Sequence, residues 1–538
     1  MLLSEVADTS AQVTATSARN AKIAQIAALL ARAEPGQVAV AVAFLSGDLL
    51  QGQIGVGYAT IGELFRTDGQ LAVPLTLTEV NDAFAGIGAV TGPGSVAQRR
   101  QQLAALFARA TGSEREFLVR LLAGDLRQGA LEGVMAEAVA RAAGVPAEEV
   151  RRAHQLGGSL PEVAEAALGR PAADGTPPDA APRTARALAA LRDFTLRVGR
   201  PARPMLAASA PDVAAALAKI SPAAAEWKID GIRIQVHRAG GEVAVFTRTL
   251  DDITARVPEI VEATLALPVT AVVLDGEAVA LAPDGRPRPF QVTAARTASQ
   301  GDVGRMREQT PLTPFLFDAL HLDGTDLIDE PASERHRLLA RIAPAALLTP
   351  RIVTADLAEA EAFFADAVAR GHEGVVLKSL DAPYRAGRRG GEWIKVKPRH
   401  TLDLVIIAAE WGHGRRRGVL SNLHLGARDP ETGGLVMLGK TFKGLTDEML
   451  AWQTARLLDL ADPPVHAAAD ADRRQAHGVV RVRPELVVEI AFDGVQASRR
   501  YPGGLALRFA RVLRFRPDKN AAEADTIDAV RAVWPGES

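Results

Sequence analysis

The apolar pattern of this chain changes character twice, near residues 200 and 400, so one hydrophobic core cannot serve the whole sequence. Residues 1–200 carry apolar side chains at helical spacing, as at Ile23 and Ile26. Residues 201–398 mix short β-branched runs with helical stretches, and residues 399–538 are rich in strand-like runs. A length of 538 residues is enough for roughly three to four domains. We therefore predict an all-helical N-terminal domain, an α+β core and a C-terminal β domain with these bounds.

The composition excludes several classes of protein. The chain has no cysteine, which excludes disulfides, iron–sulfur clusters and cysteine-ligated zinc. The sequence has no run of about 18 apolar residues, so it does not predict a membrane helix. The N-terminal residues lack the basic and then apolar pattern of a signal peptide. We expect a cytoplasmic enzyme with no membrane partner.

The formal net charge of −2 means that nucleic-acid binding would depend on local basic patches. From Arg499 to Lys519 there are seven basic residues and one acid. Two further clusters lie at 381–400 and 415–417. Any one cluster is more typical of a solvated surface, but three together beside the candidate catalytic strands favour contact with a phosphate backbone.

Lys228 is the strongest candidate for a catalytic residue. It lies in the string Glu226-Trp227-Lys228-Ile229-Asp230-Gly231-Ile232-Arg233, which runs into a strand-like stretch. Because strands have a period of two, Lys228 and Asp230 share one face, and Asp230-Gly231 predicts a bend. A lysine attacks only as the free amine, and nearby cations or desolvation lower its ordinary pKa of about 10.4. The string therefore presents a potential lysine nucleophile at a strand–turn junction.

Acidic and basic residues follow on later strands. Asp275 and Glu277 are predicted to share one strand face, and Glu373 opens another strand. Carboxylates on separate strands can position Mg²⁺ against phosphate oxygens. Lys395 and Lys397 share a face of a later strand, where lysines suit phosphates. Each motif alone would fit a polar surface, but their order over about 170 residues favours nucleotidyl transfer through a lysine.

This arrangement resembles the covalent nucleotidyltransferase superfamily, and most closely the ATP-dependent DNA ligases of the three-domain archaeal and eukaryotic-like type, including actinobacterial ligase B. Phe117 to Gly129 (FLVRLLAGDLRQG) is similar to the helical DNA-binding domain of these ligases. The resemblance implies an adenylation domain and a C-terminal OB-fold barrel after that domain. It also implies ATP and Mg²⁺, with Mn²⁺ as a substitute, and nicked duplex DNA as the partner. A monomer would close around the DNA.

The resemblance carries over to individual residues. Lys228 matches the lysine that becomes linked to AMP, Glu226 the residue beside the adenine, and Phe317 the aromatic that stacks on it. Glu277 and Glu373 resemble the metal carboxylates. Arg508 to Lys519 resembles a motif whose basic residues orient the pyrophosphate of ATP. The remaining matches to nucleotide-binding and phosphate-side positions are Arg233, Arg248, Glu277, Lys378, Arg389, Lys395 and Lys397.

Four alternatives remain open on sequence alone. RNA ligases and mRNA-capping guanylyltransferases share the lysine core, although the N-terminal helical region argues against both. NAD-dependent DNA ligases typically carry a four-cysteine zinc module, which a chain without cysteine cannot form. A non-catalytic DNA-binding clamp is the fourth, and the intact Lys228, Glu277, Glu373 and Lys395 argue against it.

Overall fold

The structure is a computed structural model with side chains. It describes residues 1–65, 74–126, 128–129, 132–169, 180–299, 301–385, 391–463 and 478–534. Across these ranges, each helix is too short or too polar to span a membrane.

The N-terminal region is helical, as predicted. Its described helices are α1 (Leu3–Ala15), α2 (Arg19–Leu30), α3 (Val38–Ser46), α4 (Tyr58–Phe65), α5 (Leu77–Ala89), α6 (Ser95–Arg109), α7 (Gly112–Leu122), α8 (Glu132–Ala143), α9 (Ala147–Gly157), α10 (Leu160–Leu168) and α11 (Ala180–Arg192). One cluster of buried apolar residues, from Leu3 to Leu191, forms the core of these helices. Side-chain caps define several helix starts: Thr111 accepts from the backbone N–H of Glu114 and so begins α7.

The middle region alternates strands and helices. Its strands are β1 (Ala208–Ser209), β2 (Ala223–Trp227), β3 (Ile232–Ala239), β4 (Glu242–Thr247), β5 (Ala271–Ala280), β6 (Leu312–Leu322), β7 (Thr325–Asp326), β8 (Arg351–Thr354), β9 (Val375–Ser379) and β10 (Trp393–Val396). Its helices are α12 (Val213–Leu217), α13 (Pro258–Leu265), α14 (Phe290–Ala298), α15 (Val303–Gln309), α16 (Ala332–Ile342) and α17 (Leu357–Ala369).

The strands of the middle region form two five-stranded sheets. One has the order β4-β3-β5-β6-β7, and the other the order β1-β10-β9-β2-β8. In the first sheet, β3 and β5 are antiparallel, with Arg233 opposite Glu277 and Gln235 opposite Asp275. This register places side chains two residues apart on one face, which is what brings Arg233 to Asp275.

The C-terminal region is strand-rich. Its elements are β11 (His400–Trp411), β12 (Leu420–Arg428), β13 (Leu435–Thr441), α18 (Asp447–Asp459), β14 (Val479–Arg481), β15 (Val487–Phe492), β16 (Gly494–Ala497), β17 (Leu505–Arg508), β18 (Arg511–Phe515) and α19 (Ile527–Val533). One sheet has the order β13-β12-β11-β15-β18, with β14 also paired to β11, while β16 and β17 pair separately. A core of buried residues from Leu402 to Val530 lies within this region.

The chain divides into two compact units. The first unit comprises Met1–Ser209, Leu217–Asp356 and Val376–Ile394. The second comprises Ala210–Ala216, Leu357–Val375 and Lys395–Ser538. The domain bounds 1–200, 201–398 and 399–538 stay a prediction, since the helical region and most of the middle region share one unit.

Within the first unit, the helical region packs directly on the strands. Leu156 of α9 belongs to an apolar cluster that also contains Met205 and Leu320. At the exposed edge of this contact, Arg152 pairs with Asp329 at 2.6 Å.

The segment that follows α11 is clamped onto β3. The backbone N–H of Gly199 donates to His237 Nδ1 at 3.0 Å. Gln235 hydrogen-bonds both backbone groups of Ala202, accepting at 2.7 Å and donating at 3.1 Å. The polar face of β3 is therefore buried beneath the 199–205 segment.

Candidate active site

Lys228 lies just beyond the end of β2, in the connection that leads to β3, as the sequence predicts. Gly231 closes this connection against β5, because a Cβ at that position would lie 2.3 Å from the carbonyl oxygen of Ala278. The lysine is partly buried. The close approach places its positive charge where it acts on the carboxylate of Glu277.

Burial strongly perturbs the carboxyl group of Glu277, which lies near this lysine. Burial raises its pKa to about 7, although Lys228 and Arg233 oppose the shift. Asp275 and Asp230 add to it. The neighbouring cations thus do not fully compensate the ionised carboxylate, and an added cation would stabilise it.

This environment fits Mg²⁺. Among the described residues, no group of three or more acids and histidines could hold a metal alone. Magnesium does not require such a group, because it is usually bound by one or two carboxylates together with substrate phosphates and water. Glu277, with its uncompensated charge, has the character of such a ligand.

Arg233 is held in a fixed position beside two aromatic rings. Its guanidinium donates to both oxygens of Asp275, at 3.0 and 2.6 Å. It also donates to the carbonyl of Met205 at 2.5 Å. Its central carbon lies 5.5 Å from the ring centre of Phe317 and 5.6 Å from that of Trp393. The predicted nucleotide-binding arginine and stacking aromatic are therefore neighbours.

Glu226 and Lys378 form a buried ion pair against the same two rings. Lys378 Nζ lies 2.6 Å from Glu226 Oε2, 4.3 Å from the ring centre of Phe317 and 4.2 Å from that of Trp393. Glu226 also accepts from Arg351 Nε at 2.7 Å. Burial acts to raise the pKa of Glu226, but Arg351, Lys378 and His336 outweigh it and hold that pKa below its ordinary value.

The first unit thus brings together six of the predicted residues: Glu226, Lys228, Arg233, Glu277, Phe317 and Lys378. Arg248 also belongs to this unit but is exposed in the turn after β4. Arg389 lies outside the described residues.

The remaining predicted residues belong to the second unit. Lys397 Nζ lies 2.7 Å from Glu373 Oε1 and 3.4 Å from Asp493 Oδ2. Arg508 approaches the same oxygen of Glu373 at 4.0 Å. Lys395 is partly buried at the end of β10. Glu373 therefore lies among cations of its own unit, and its predicted metal role stays a prediction.

The basic residues of the C-terminal motif are also held by acids of the second unit. Asp403 Oδ2 accepts from Arg516 Nη1 and from Lys519 Nζ, each at 2.7 Å. Arg516 also donates to Asp518.

Sequence reasoning missed two residues that shape the site. Tyr384 and Arg351 are both within hydrogen-bond distance of predicted site residues. Neither lies in a recognisable motif. Pairing of β2 with β8, with Glu226 opposite Arg351, is the only signal for Arg351 in the described part of the chain, and it is not visible before the sheet is known.

Three family models match the chain. The ATP dependent DNA ligase domain matches residues 204–397, the ATP dependent DNA ligase C terminal region matches 416–519, and the DNA ligase N terminus matches 59–140.

Full-length relatives agree with these matches. A probable DNA ligase from Mycobacterium sp. (strain KMS) is 57% identical over 543 residues, covering 99% of each chain. A probable DNA ligase from Anaeromyxobacter dehalogenans (strain 2CP-C) is 56% identical over 539 residues, covering 100% of each. The solved structure Pmar-Lig_PreS3 is 16% identical, with a TM-score of 0.59, over 95% of this chain and 99% of that one, and supports the fold alone.

The helical N-terminal region, the core that carries Lys228 and the C-terminal β domain define a multidomain nucleotidyltransferase. The predicted fold class is thereby confirmed. The chain belongs to the family of ATP-dependent DNA ligases.

Proposed function

We propose that this chain seals nicks between a 5′-phosphate and a 3′-hydroxyl in duplex DNA through a covalent bond between Lys228 and AMP. The observation that carries the proposal is the placement of Lys228 in a connection pressed onto β5, beside Glu277. The matched family models support the overall reaction. A cytoplasmic monomer stays a prediction.

The reaction has three steps. The free amine of Lys228 attacks the α-phosphorus of ATP, the bond to the β-phosphate oxygen breaks, and pyrophosphate leaves while the amine proton passes to solvent. AMP then moves from the lysine to the 5′-phosphate of the nick. Finally the 3′-hydroxyl attacks that phosphate and releases AMP.

The surrounding residues bind and orient the nucleotide. We assign Phe317 to stack on the adenine, with Glu226 and Lys378 fixed next to it. Asp275 fixes the position of Arg233 by accepting hydrogen bonds from it. Arg233 and the exposed Arg248 supply positive charge for the nucleotide. Lys395, Lys397 and Arg389 stay predicted phosphate-side contacts.

Glu277 is the residue that would hold Mg²⁺. The bound ion would neutralise negative charge on the phosphates. It would also neutralise the Glu277 carboxylate, whose negative charge favours the ammonium form of Lys228.

The test is adenylation followed by a chase. Protein is incubated with Mg²⁺ and α-labelled ATP, beside labelled GTP and labelled NAD, and nicked duplex DNA is then added. We expect a covalent label from ATP that is discharged as the nick is sealed. Lys228→Ala should abolish it, whereas Lys219→Ala, which removes an exposed lysine of the same unit, should not.

The other outcomes are equally clear. A label from GTP or NAD would point to a capping enzyme or an NAD-dependent ligase. No label from any nucleotide, in folded protein free of AMP, would overturn the catalytic proposal and leave a DNA-binding clamp.

A further inference from the structure

Tyr384 is fully buried at the centre of the contacts that fix Arg233. Its hydroxyl donates to Asp275 Oδ2 at 2.6 Å. It accepts from the backbone N–H of Met205 at 3.0 Å and from Arg233 Nη2 at 3.2 Å. One hydroxyl therefore ties the arginine, its carboxylate partner and the entry of the chain into the core.

The backbone of the same tyrosine is held by the helical region. Gln155 of α9, which is 5% exposed, donates from Nε2 to the carbonyl oxygen of Tyr384 at 3.1 Å. The backbone carbonyl of Gln155 accepts from the N–H of Arg203 at 2.8 Å. Helix α9 thus contacts both the tyrosine and the segment that leads to Met205.

The guanidinium of Arg233 is closely packed, so its position depends on its contacts with Tyr384 and Asp275. Asp275, its carboxylate partner, is 1% exposed. The guanidinium lies against both Phe317 and Trp393, and the Tyr384 ring packs on the edge of Trp393 with the ring centres 5.9 Å apart. A shift of Tyr384 would move the arginine relative to the ring that we assign to the adenine.

We propose that α9 is part of the support of the nucleotide site, and that Gln155 and Tyr384 are positioning residues acting through Arg233. The helical region would then have a role in the first chemical step, before any DNA is bound. The inference rests on the proposed function in one respect, namely that Arg233 contacts ATP.

The test measures the adenylation rate against ATP concentration without DNA, for Tyr384→Phe and Gln155→Leu. Because Arg233 would be displaced but not removed, nucleotide binding should weaken while the chemistry of Lys228 persists. Because each molecule reacts once without DNA, KM here is the ATP concentration that gives half the maximal rate constant of adenylation, and kcat is that maximal rate constant. We expect the KM for ATP to rise roughly tenfold and kcat to stay within about twofold. KM does not depend on the fraction of protein that is folded, so partial unfolding cannot mimic this result.

The matched control is Arg152→Ala. This change removes the ion pair with Asp329 at the same helix, in which the two side chains are 46% and 63% exposed. An exposed pair contributes little to stability, and this one does not contact Tyr384 or Arg233 in the described contacts. The KM for ATP should stay at the wild-type value.

Two results for the KM of ATP would overturn the proposal that Gln155 and Tyr384 position Arg233. An unchanged KM in either variant would overturn the proposal and leave the network a purely structural one. An equal rise in Arg152→Ala would overturn it too, because any loosening of the interface would then suffice. The rise in unfolding temperature on addition of ATP measures ATP binding independently of adduct formation. A chain that binds ATP but forms no adduct would therefore contradict the proposed function and not this inference.

Discussion

At the scale of single residues, the sequence motifs predict candidate site residues but not the contacts that hold them. The Asp230-Gly231 bend and Lys228 at its start are where the pattern places them. The sequence does not show that Gly231 touches the backbone of β5, because that contact depends on the register between β3 and β5. Glu226 is likewise predicted as a nucleotide contact, and the three residues that lower its pKa come from strands and a helix distant in sequence.

Replacing Gly231 with alanine should damage both the fold and adenylation. A Cβ would lie 2.3 Å from the carbonyl oxygen of Ala278, so the connection that carries Lys228 must move. We expect a loss of about 1–3 kcal/mol in the free energy of unfolding. Urea unfolding and the adenylation assay measure the two effects. Gly241→Ala is the control, since nothing lies within 4 Å of its Cβ position; equal behaviour of the two variants would contradict the packing argument.

Replacing Glu226 with glutamine should destabilise the protein strongly. The carboxylate is 2% exposed and neutralises Lys378 and Arg351. Removing one partner of a buried ion pair typically costs about 3–5 kcal/mol. The free energy of unfolding from urea titration measures the loss. Glu334→Gln, which breaks an exposed pair with Arg337, should change it little; comparable losses would show that the buried charge is not needed.

At the scale of elements, alternation in the sequence predicted β3 and its two faces but not their surroundings. Ile234 and Val236 are buried, as apolar residues of a strand should be. Gln235 and His237 on the opposite face are also buried, at 4% and 1% exposure. They are satisfied by hydrogen bonds from the 199–205 segment, and a polar side chain gives no sequence signal that its partner will be backbone.

The burial of His237 predicts loss of stability in acid. Burial, with a smaller contribution from His321, lowers its pKa to about 4. The unfolded chain binds the proton near pH 6.5, so the unfolded state gains protons first and the free energy of unfolding should fall as the pH drops from about 6.5 towards 4. Protonation of the ring would also place a hydrogen on Nδ1, which could then no longer accept the hydrogen bond from the backbone N–H of Gly199.

Urea unfolding across this pH range measures the effect. His237→Asn should reduce the slope of the free energy of unfolding against pH between pH 6.5 and 4. The buried His154 and His336, whose pKa values burial lowers to about 3 and about 4, should maintain part of the slope. A slope that His237→Asn does not alter would contradict this assignment.

At the scale of the whole molecule, the three apolar patterns correctly predicted helical, mixed and strand-rich regions in that order. They did not predict that the helices share a compact unit with most of the core. Composition shows where periodicity changes, but it does not show which surfaces pack together. The clustering of Leu156 with Met205 and Leu320 depends on contacts that no local pattern encodes.

Binding to nicked duplex DNA should depend steeply on salt and weakly on base sequence. The net charge is only −2, so the basic patches rather than the overall charge would contact phosphates. For six to ten phosphate contacts, affinity should fall by about a thousandfold or more between roughly 50 and 200 mM salt. Titration of the Lys228→Ala variant with a labelled nicked duplex measures this without sealing. A flat salt response, or strong dependence on the flanking bases, would contradict backbone-driven binding.

The distribution of the cores along the chain also bears on how the protein is made. The buried residues of the helical core end at Leu191. All of them can therefore leave the ribosome before the rest of the chain is translated. The second sheet of the middle region must wait, because β1 at Ala208–Ser209 pairs with β10 at Trp393–Val396. During that interval the finished helices offer Leu156 and Gln155 as a docking surface for strands still emerging. The N-terminal region would then act as a template on which the nascent catalytic core assembles.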